Sequence, residues 1–388
     1  MYSRIPLNRN VPPRRPRLVR AANRRGVMVV AIMFMVLVGV LLGALVLNWA
    51  HLIVVQRTLT GRADAISLAA TPALLDQGLL AGLPANPPQT VTNAASVANQ
   101  FRLANNADGS NTYSVAASDL VLTPGHANNP ALPINGGNFV GAPPYNVLRV
   151  DVNRTSASGH PVTQLITGTW NLIGTNVTAT TFAKIDNRLV GFQPTSKINS
   201  PVVPIAIEQD AFATEQISDS NGNSILEMEV RLACTNAGKA TANGIVVGFN
   251  GPPVQADVVN QIVGGIGPTD LPGPSHWLGP ITTLSPQSFP GTNPLGAGFC
   301  ANVQSALSLI AAPLNARCVV FPLYDKNASG GGNYSLVGFV GARVLSVTSN
   351  ADQVKFTIEP CYVIHTTAWI DDSGSVLNPY IYKLSIAR

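Results

Sequence analysis

Charge is scarce in this chain. Asp, Glu, Lys and Arg make up 11% of its 388 residues, a low share for a cytosolic protein. Histidine is scarce as well: there are five, and none stands at a metal-ligand spacing from another His, which removes the paired-histidine signature of a zinc site. The four cysteines contain no CxxC pair, so neither a zinc knuckle nor a thioredoxin-type redox motif is encoded. No HExxH, GxSxG, Walker loop or GxGxxG occurs, so the commonest sequence signatures of hydrolases and nucleotide enzymes are missing. No period of 20–50 residues repeats, which excludes a solenoid or propeller.

One run lacks charge altogether. From Gly26 to Gln56 there is no Asp, Glu, Lys or Arg. A bilayer core needs roughly 20 apolar residues in a helix, and only a helix satisfies all its own backbone groups in lipid. The run exceeds that need by one to three turns. It is too long for the roughly 7–15-residue apolar core of a cleaved signal peptide. Trp49 and His51 suit the far interface, where amphipathic rings anchor. Gly39 and Gly43 form a small-xxx-small pair that lets a second helix approach, so homo-oligomer contact through this helix is a candidate.

Basic charge concentrates before the run. The first 25 residues hold eight Arg and no acid, leaving 16 basic and 19 acidic residues in the rest, a net of −3. The tail is topogenic: Arg14, Arg15, Arg17, Arg20, Arg24 and Arg25 abut the apolar run and keep their side of the membrane cytoplasmic. No aromatic residue interleaves with them as a nucleic-acid platform would require, and no nucleic acid is expected as partner.

Beyond the run a helical stripe continues through Leu59, Ala63, Ile66 and Ala70, at spacings of four, three and four. Thr71-Pro72 reads as a helix restart, with Thr as N-cap and Pro at the first position. Residues 82–145 are rich in Asn, Pro, Gly and Ala, with one helix near Val91–Leu103. Strands follow at Asn146–Asn153, Asn176–Lys184 and Arg188–Phe192. After a Pro-bearing joint, Leu226 to Leu232 alternates apolar and charged residues with period two. Asp257–Val263 and Ala301–Ala311 read as helices, and Arg317–Leu323, Tyr334–Val347 and Gln353–Ile364 as closing strands. The expected class is α+β: a transmembrane helix continuing into an extramembrane helix, then a strand-rich exported region with a few short helices. The divisions are 1–25 (basic tail), 26–55 (anchor), 56–193 (pilin-like α+β region) and 194–388 (β-rich domain). Cys234, Cys300, Cys318 and Cys361 all fall in the last, an even count that suits disulfides in an oxidising compartment; three pairings are open.

Asp219, Asn221 and Asn223 alternate as calcium-binding oxygens do. Gly222 falls too early for an EF-hand loop, however, and Val230 stands where the bidentate Glu belongs. A plain turn is the expectation, with calcium the weaker alternative and no other cofactor. Gly330-Gly331-Gly332 sits between two strands rather than before a helix, and reads as a hairpin connection.

The segment Arg24-Arg25-Gly26, the apolar helix, and then Ala63-Asp64-Ala65 and Leu68-Ala69-Ala70 resemble the TadE/TadG-like group of bacterial tight-adherence (Flp) pilus-assembly proteins over about 50 residues. Looser similarity to the longer, TadG-like type follows at Val147–Val152, Asp186–Thr195, Pro322–Asp325 and Val337–Val344. The resemblance implies a bacterial inner-membrane protein with a cytoplasmic N-terminus, a single span and a periplasmic or extracellular domain. Its partners would be the membrane and other pilus-assembly or envelope proteins. Pilin-type members often carry Glu five residues after the Gly; here that position is Ala31, which implies a permanent anchor rather than a processed fibre subunit. The expected role is thus structural and non-catalytic. The low charge and the Asn/Gly/Pro-rich loops keep open a tethered adhesin or glycan-binding module, and an exported enzyme whose site forms only on folding is a third reading.

Overall fold

Fifty-one consecutive residues, Arg20–Ala70, form one helix, α1, about 76 Å long at 1.5 Å per residue. The computed structural model describes residues 20–105, 114–127, 134, 138–163, 165–166, 174–217, 219–220, 222–250, 255–271, 273, 276–279, 295–312, 317–326, 334–371 and 377–387, with 20–26 and 297 as backbone only. No proline interrupts α1, and Pro72 stops it by disfavouring the helical conformation of its neighbour. A 3-10 turn, Thr71–Leu74, follows with Ala70 rather than Thr71 at its N-cap. The Thr71 hydroxyl instead donates back to the Ser67 carbonyl at 2.6 Å.

The chain continues through a second 3-10 turn (Gln77–Ala81) into α2 (Pro87–Asn105) and then β1 (Leu120–Ala127), β2 (Phe139–Val140), β3 (Val147–Arg154), β4 (Val177–Asp186) and β5 (Leu189–Phe192). A second series comprises β6 (Ile205–Glu208), α3 (Gln209–Thr214), β7 (Gln216–Ile217), β8 (Glu227–Ala233), β9 (Gly244–Val246), α4 (Gln255–Gly264), α5 (Ala297–Ala311), β10 (Cys318–Asp325), β11 (Ser335–Ser349) and β12 (Gln353–Pro360). Three strands close the chain: β13 (Val363–Ile364), β14 (Ala368–Ile370) and β15 (Ile381–Ala387). The protein is therefore mixed α+β, with one long apolar N-terminal helix and a strand-rich C-terminal part.

The first sheet has the order β13-β15-β4-β3-β1-β2. One face carries the end of α1 and α2: Val55, Leu59, Ala63, Ile66 and Ala70 are fully buried with Leu148, Val150 and Val152 of β3 and Val177 and Ala179 of β4. Every residue of the stripe expected from the 4-3-4 spacing lies in this contact. Each of Val55, Leu59 and Ile66 contributes about 1.5–3 kcal/mol by leaving water. Ala63 and Ala70 let the helix axis come close to the sheet, and two polar clamps set its register. The Gln56 amide donates to the Thr178 carbonyl at 2.7 Å, and the Thr181 hydroxyl to the Asp64 carboxylate at 2.6 Å.

The second sheet runs β12-β11-β10-β6-β9-β8-β7, and β8 also pairs with β12 from Met228↔Ile358 to Ala233↔Gln353. Six strands thus close into a barrel, which removes most free edges. Its core alternates along every strand: Ile205 and Ile207, Val230 and Leu232, Val319 and Phe321, Val340 and Ala342, Val354 and Phe356. Val258 and Ile262 of α4 and Val303 and Leu307 of α5 join the same cluster. Outward-facing Ala206, Val320 and Phe339 form another core with Phe192, Leu278 and Ile381. The helix α4 ends at Gly265, where φ is +76° and an added Cβ would strike the Ser200 carbonyl, so only glycine fits.

The expected division at 193/194 is crossed by the last strand. β15 lies beside β4 in the first sheet, Leu384 opposite Ile185, and β13 pairs with β15, so the barrel is an insertion between β5 and β13. The four cysteines pair as Cys234–Cys300, with Cα atoms 5.9 Å apart, and Cys318–Cys361, 6.2 Å apart. The first ties the end of β8 to α5, and the second ties the start of β10 to the segment after β12. Their sequence separations of 66 and 43 correspond to about 4 kcal/mol each in the chain-entropy model. Replacing either pair by serine should lower unfolding free energy by about 2–5 kcal/mol, read from the urea midpoint of the full chain in detergent, with α1 helicity unchanged.

Candidate functional site

Asp76 turns the chain just after α1. Its carboxylate accepts the Gly78 N–H at 2.9 Å and the Asn86 N–H at 2.6 Å, which holds the second 3-10 turn and directs the chain into α2. Its carbonyl accepts the Tyr362 hydroxyl at 2.8 Å, a bond that spans 286 residues and joins the helix end to the segment between β12 and β13. Beside this junction lies a cleft of about 740 Å³. Leu74, Leu75 and Leu79 line one wall, Pro143, Pro144 and Tyr145 another, and Ile185 to Arg188 with Tyr362 and Tyr382 the rest. The Pro143–Pro144 bond is cis.

A paired charge stands in the cleft wall. β4 ends at Asp186 and β5 begins at Leu189, and the carboxylate of Asp186 accepts the Arg188 backbone N–H at 3.1 Å, an Asx-type closure of the turn. The guanidinium then forks onto the same carboxylate, Nε to Oδ1 at 3.0 Å and Nη2 to Oδ2 at 2.6 Å. Both residues are buried, so the two charges cancel inside a low-dielectric wall. The phenols are neutral donors. Burial pushes Tyr362, Tyr380 and Tyr382 above the ordinary tyrosine value, and for Tyr362 the neighbouring Tyr382 and Asp76 add to the rise. Tyr362 and Tyr382 meet edge to face at 5.6 Å between centroids. Chemically, the cleft offers an apolar surface, two tyrosine rings whose hydroxyls are bonded within the chain, and a neutralised ion pair. Such a site is equipped to hold an apolar or amphipathic group.

A more polar groove of about 520 Å³ runs along the barrel between α3 and β8. There Arg231 bridges Glu215 at 2.5 Å and Glu229 at 3.6 Å, while Lys326 meets Glu208 at 3.3 Å. These exposed pairs contribute little to stability.

The turn that carries Asp219 and Asn223 is bonded to the barrel. Asp219 accepts the Gly222 and Ser224 N–H groups through its two oxygens. Ser220 donates its N–H and hydroxyl to buried Glu227, and the Asn223 amide donates to buried Glu359 at 3.0 Å. Glu359 also pairs with Arg343 at 2.6 Å. Asn221 lies outside the described residues. Among the described residues no group of three His, Cys, Asp or Glu is arranged to hold a metal. Among the described residues, nothing beyond the local helix backbone comes within 4 Å of a Cβ added at Gly39 or Gly43, so both present open helix surface. Arg20, Arg24 and Arg25 belong to the first turns of α1 as backbone, and Arg14, Arg15 and Arg17 lie outside the described residues.

Sequence reasoning did not single out Asp76, Tyr362 or Tyr382 as site residues. Asp186 and Arg188 entered only through a family-like segment. Their signal was a residue pair of opposite charge, two apart, between two apolar runs. Compared with family models, with curated proteins and with solved structures, the chain finds no match. Replacing Asp186 takes away the carboxylate onto which the buried Arg188 guanidinium forks. Asp186→Asn should therefore cost about 3–5 kcal/mol, while the double variant Asp186→Leu with Arg188→Leu recovers most of the loss; urea unfolding of the three proteins in detergent checks it.

Proposed function

We propose that this protein is a non-catalytic, envelope-anchored structural or assembly component resembling the TadG-like proteins of tight-adherence pilus systems. It acts through protein contacts of a domain held outside the bacterial inner membrane. The observation that carries this reading is the continuity of α1. From Val27 to Trp49 its large apolar side chains are exposed, and from Val55 to Ala70 one stripe of the same helix is buried in the first sheet. The exposed stretch is long and apolar enough to cross a membrane. Removal of that stretch as a signal sequence would cut into a helix whose end is part of the domain core, which favours a retained anchor.

The arginine tail sets the cytoplasmic side, and two disulfides in the region beyond the helix suit an oxidising compartment. Asp64, within the family-like segment, supplies a reason for that segment: its carboxylate locks the helix to Thr181 while the flanking alanines allow close packing. A second reading is a membrane-tethered surface adhesin or glycan-binding module, for which the Tyr362 and Tyr382 rings in the cleft wall would supply stacking faces.

Membrane-impermeant maleimide should label Lys239→Cys in intact spheroplasts and Ser3→Cys only after permeabilisation, the native cysteines being paired. The opposite pattern contradicts the topology. Crosslinking of the full chain in cells separates the two roles, since recovery of pilus-assembly components supports the first and saccharide binding without them supports the second.

A further inference from the structure

We propose that Leu165 and Ile166, which lie between β3 and β4, form a second membrane contact, resting in the headgroup–acyl boundary of the leaflet from which α1 emerges. The occupant of this surface is phospholipid. The inference rests on α1 being a span and goes beyond it, because it fixes how the folded domain sits on the bilayer.

Depth is the first observation. A hydrocarbon core of roughly 30 Å takes about 20 helical residues, so a span starting at Val27 reaches the far boundary near Asn48. There the Asn48 carboxamide oxygen accepts the backbone N–H of Ile166 at 3.1 Å. The loop is thereby held at the level of the boundary, and one polar group of each partner is satisfied where water thins out. Trp49, next in the helix, is 67% exposed and sits where indole rings favour the interface.

Exposure is the second. Leu165 is 63% exposed and Ile166 39%, although a loop that only connects two strands has no need of adjacent bare aliphatic side chains. The base of the loop is defined: Val162 and Thr175 exchange two backbone hydrogen bonds, at 3.0 and 2.9 Å. That bridge extends β3 and β4, the same strands that carry α1. Charge is the third. Between His160 and Lys184 the sequence has no Asp, Glu, Lys or Arg, so nothing in this segment resists approach to lipid. Two points of contact, a helix and a loop beside it, restrict rotation of the domain about the helix axis in a way that one helix cannot.

The test uses full-length protein in vesicles of phosphatidylethanolamine and phosphatidylglycerol, with an environment-sensitive fluorophore on a single introduced cysteine. Leu165→Cys is the probe site, Val40→Cys the position within the span, and Leu309→Cys, exposed on α5 of the barrel, the aqueous control. Lipid spin-labelled near the headgroup should quench the Leu165 probe at least twofold more than the Leu309 probe, with aqueous iodide showing the reverse order. If the Leu165 probe matches the Leu309 probe while Val40 is quenched by lipid, the loop contact is wrong and the span stands. If the Leu165 probe is shielded from both quenchers, another protein copy covers the loop, and the proposal is overturned. If Val40 is reached by iodide, the span fails and the loop contact with it.

Discussion

The structure depends on the burial of one helical stripe, Val55 to Ala70, against β3 and β4. This contact gives a single helix two kinds of surface. Apolar side chains cover α1 all round between Val27 and Trp49, as lipid requires, and then narrow to one face where the sheet begins. Separate elements joined by a loop would let the domain swing freely. A continuous helix with its end in the core transmits position directly, because bending it would break backbone hydrogen bonds and expose Leu59 and Ile66. The polar clamps at Gln56 and Asp64 make the contact specific in register as well as favourable in free energy.

The rest of the chain is organised around that sheet. The barrel is inserted between β5 and β13, and the chain returns to pair β15 with β4 beside the helix. Both connections to the barrel therefore leave from the unit that holds α1. The Tyr362–Asp76 bond adds a link directly to the helix end, and the cleft lies at this meeting place. The Cys234–Cys300 disulfide stiffens the barrel, and Cys318–Cys361 ties β10 to the segment that carries Tyr362. The junction is thus held by one covalent tie together with packing, hydroxyl bonds and the Asp186–Arg188 pair.

Local patterns were the legible part of the fold. The uncharged run, the stripe at Leu59, Ala63, Ile66 and Ala70, and the alternation in β8 each express one periodicity within a short window. β1 escaped because Pro124 and Gly125 read as loop. The strand tolerates them since residues 120–125 pair only with β3, leaving the proline's missing donor on the open edge, and the Phe139 ring covers Gly125. β15 escaped because its partner lies some 200 residues earlier, and no window of sequence contains both. The cleft was hidden for the same reason: Asp76, Arg188 and Tyr362 meet only after both units fold. The cysteine pairing likewise required the barrel register, whereas the count alone indicated disulfides.

The central claim, that the apolar stretch and the domain helix are one rigid body, is tested most directly by a distance. Spin labels at Val46→Cys and Gly61→Cys, both exposed and on either side of the junction, can be measured by double electron–electron resonance in lipid nanodiscs. A continuous helix predicts one narrow distribution centred near about 22 Å, from 15 residues at 1.5 Å each. A broad or two-peaked distribution would mean a hinge between lipid and domain, and would contradict the account.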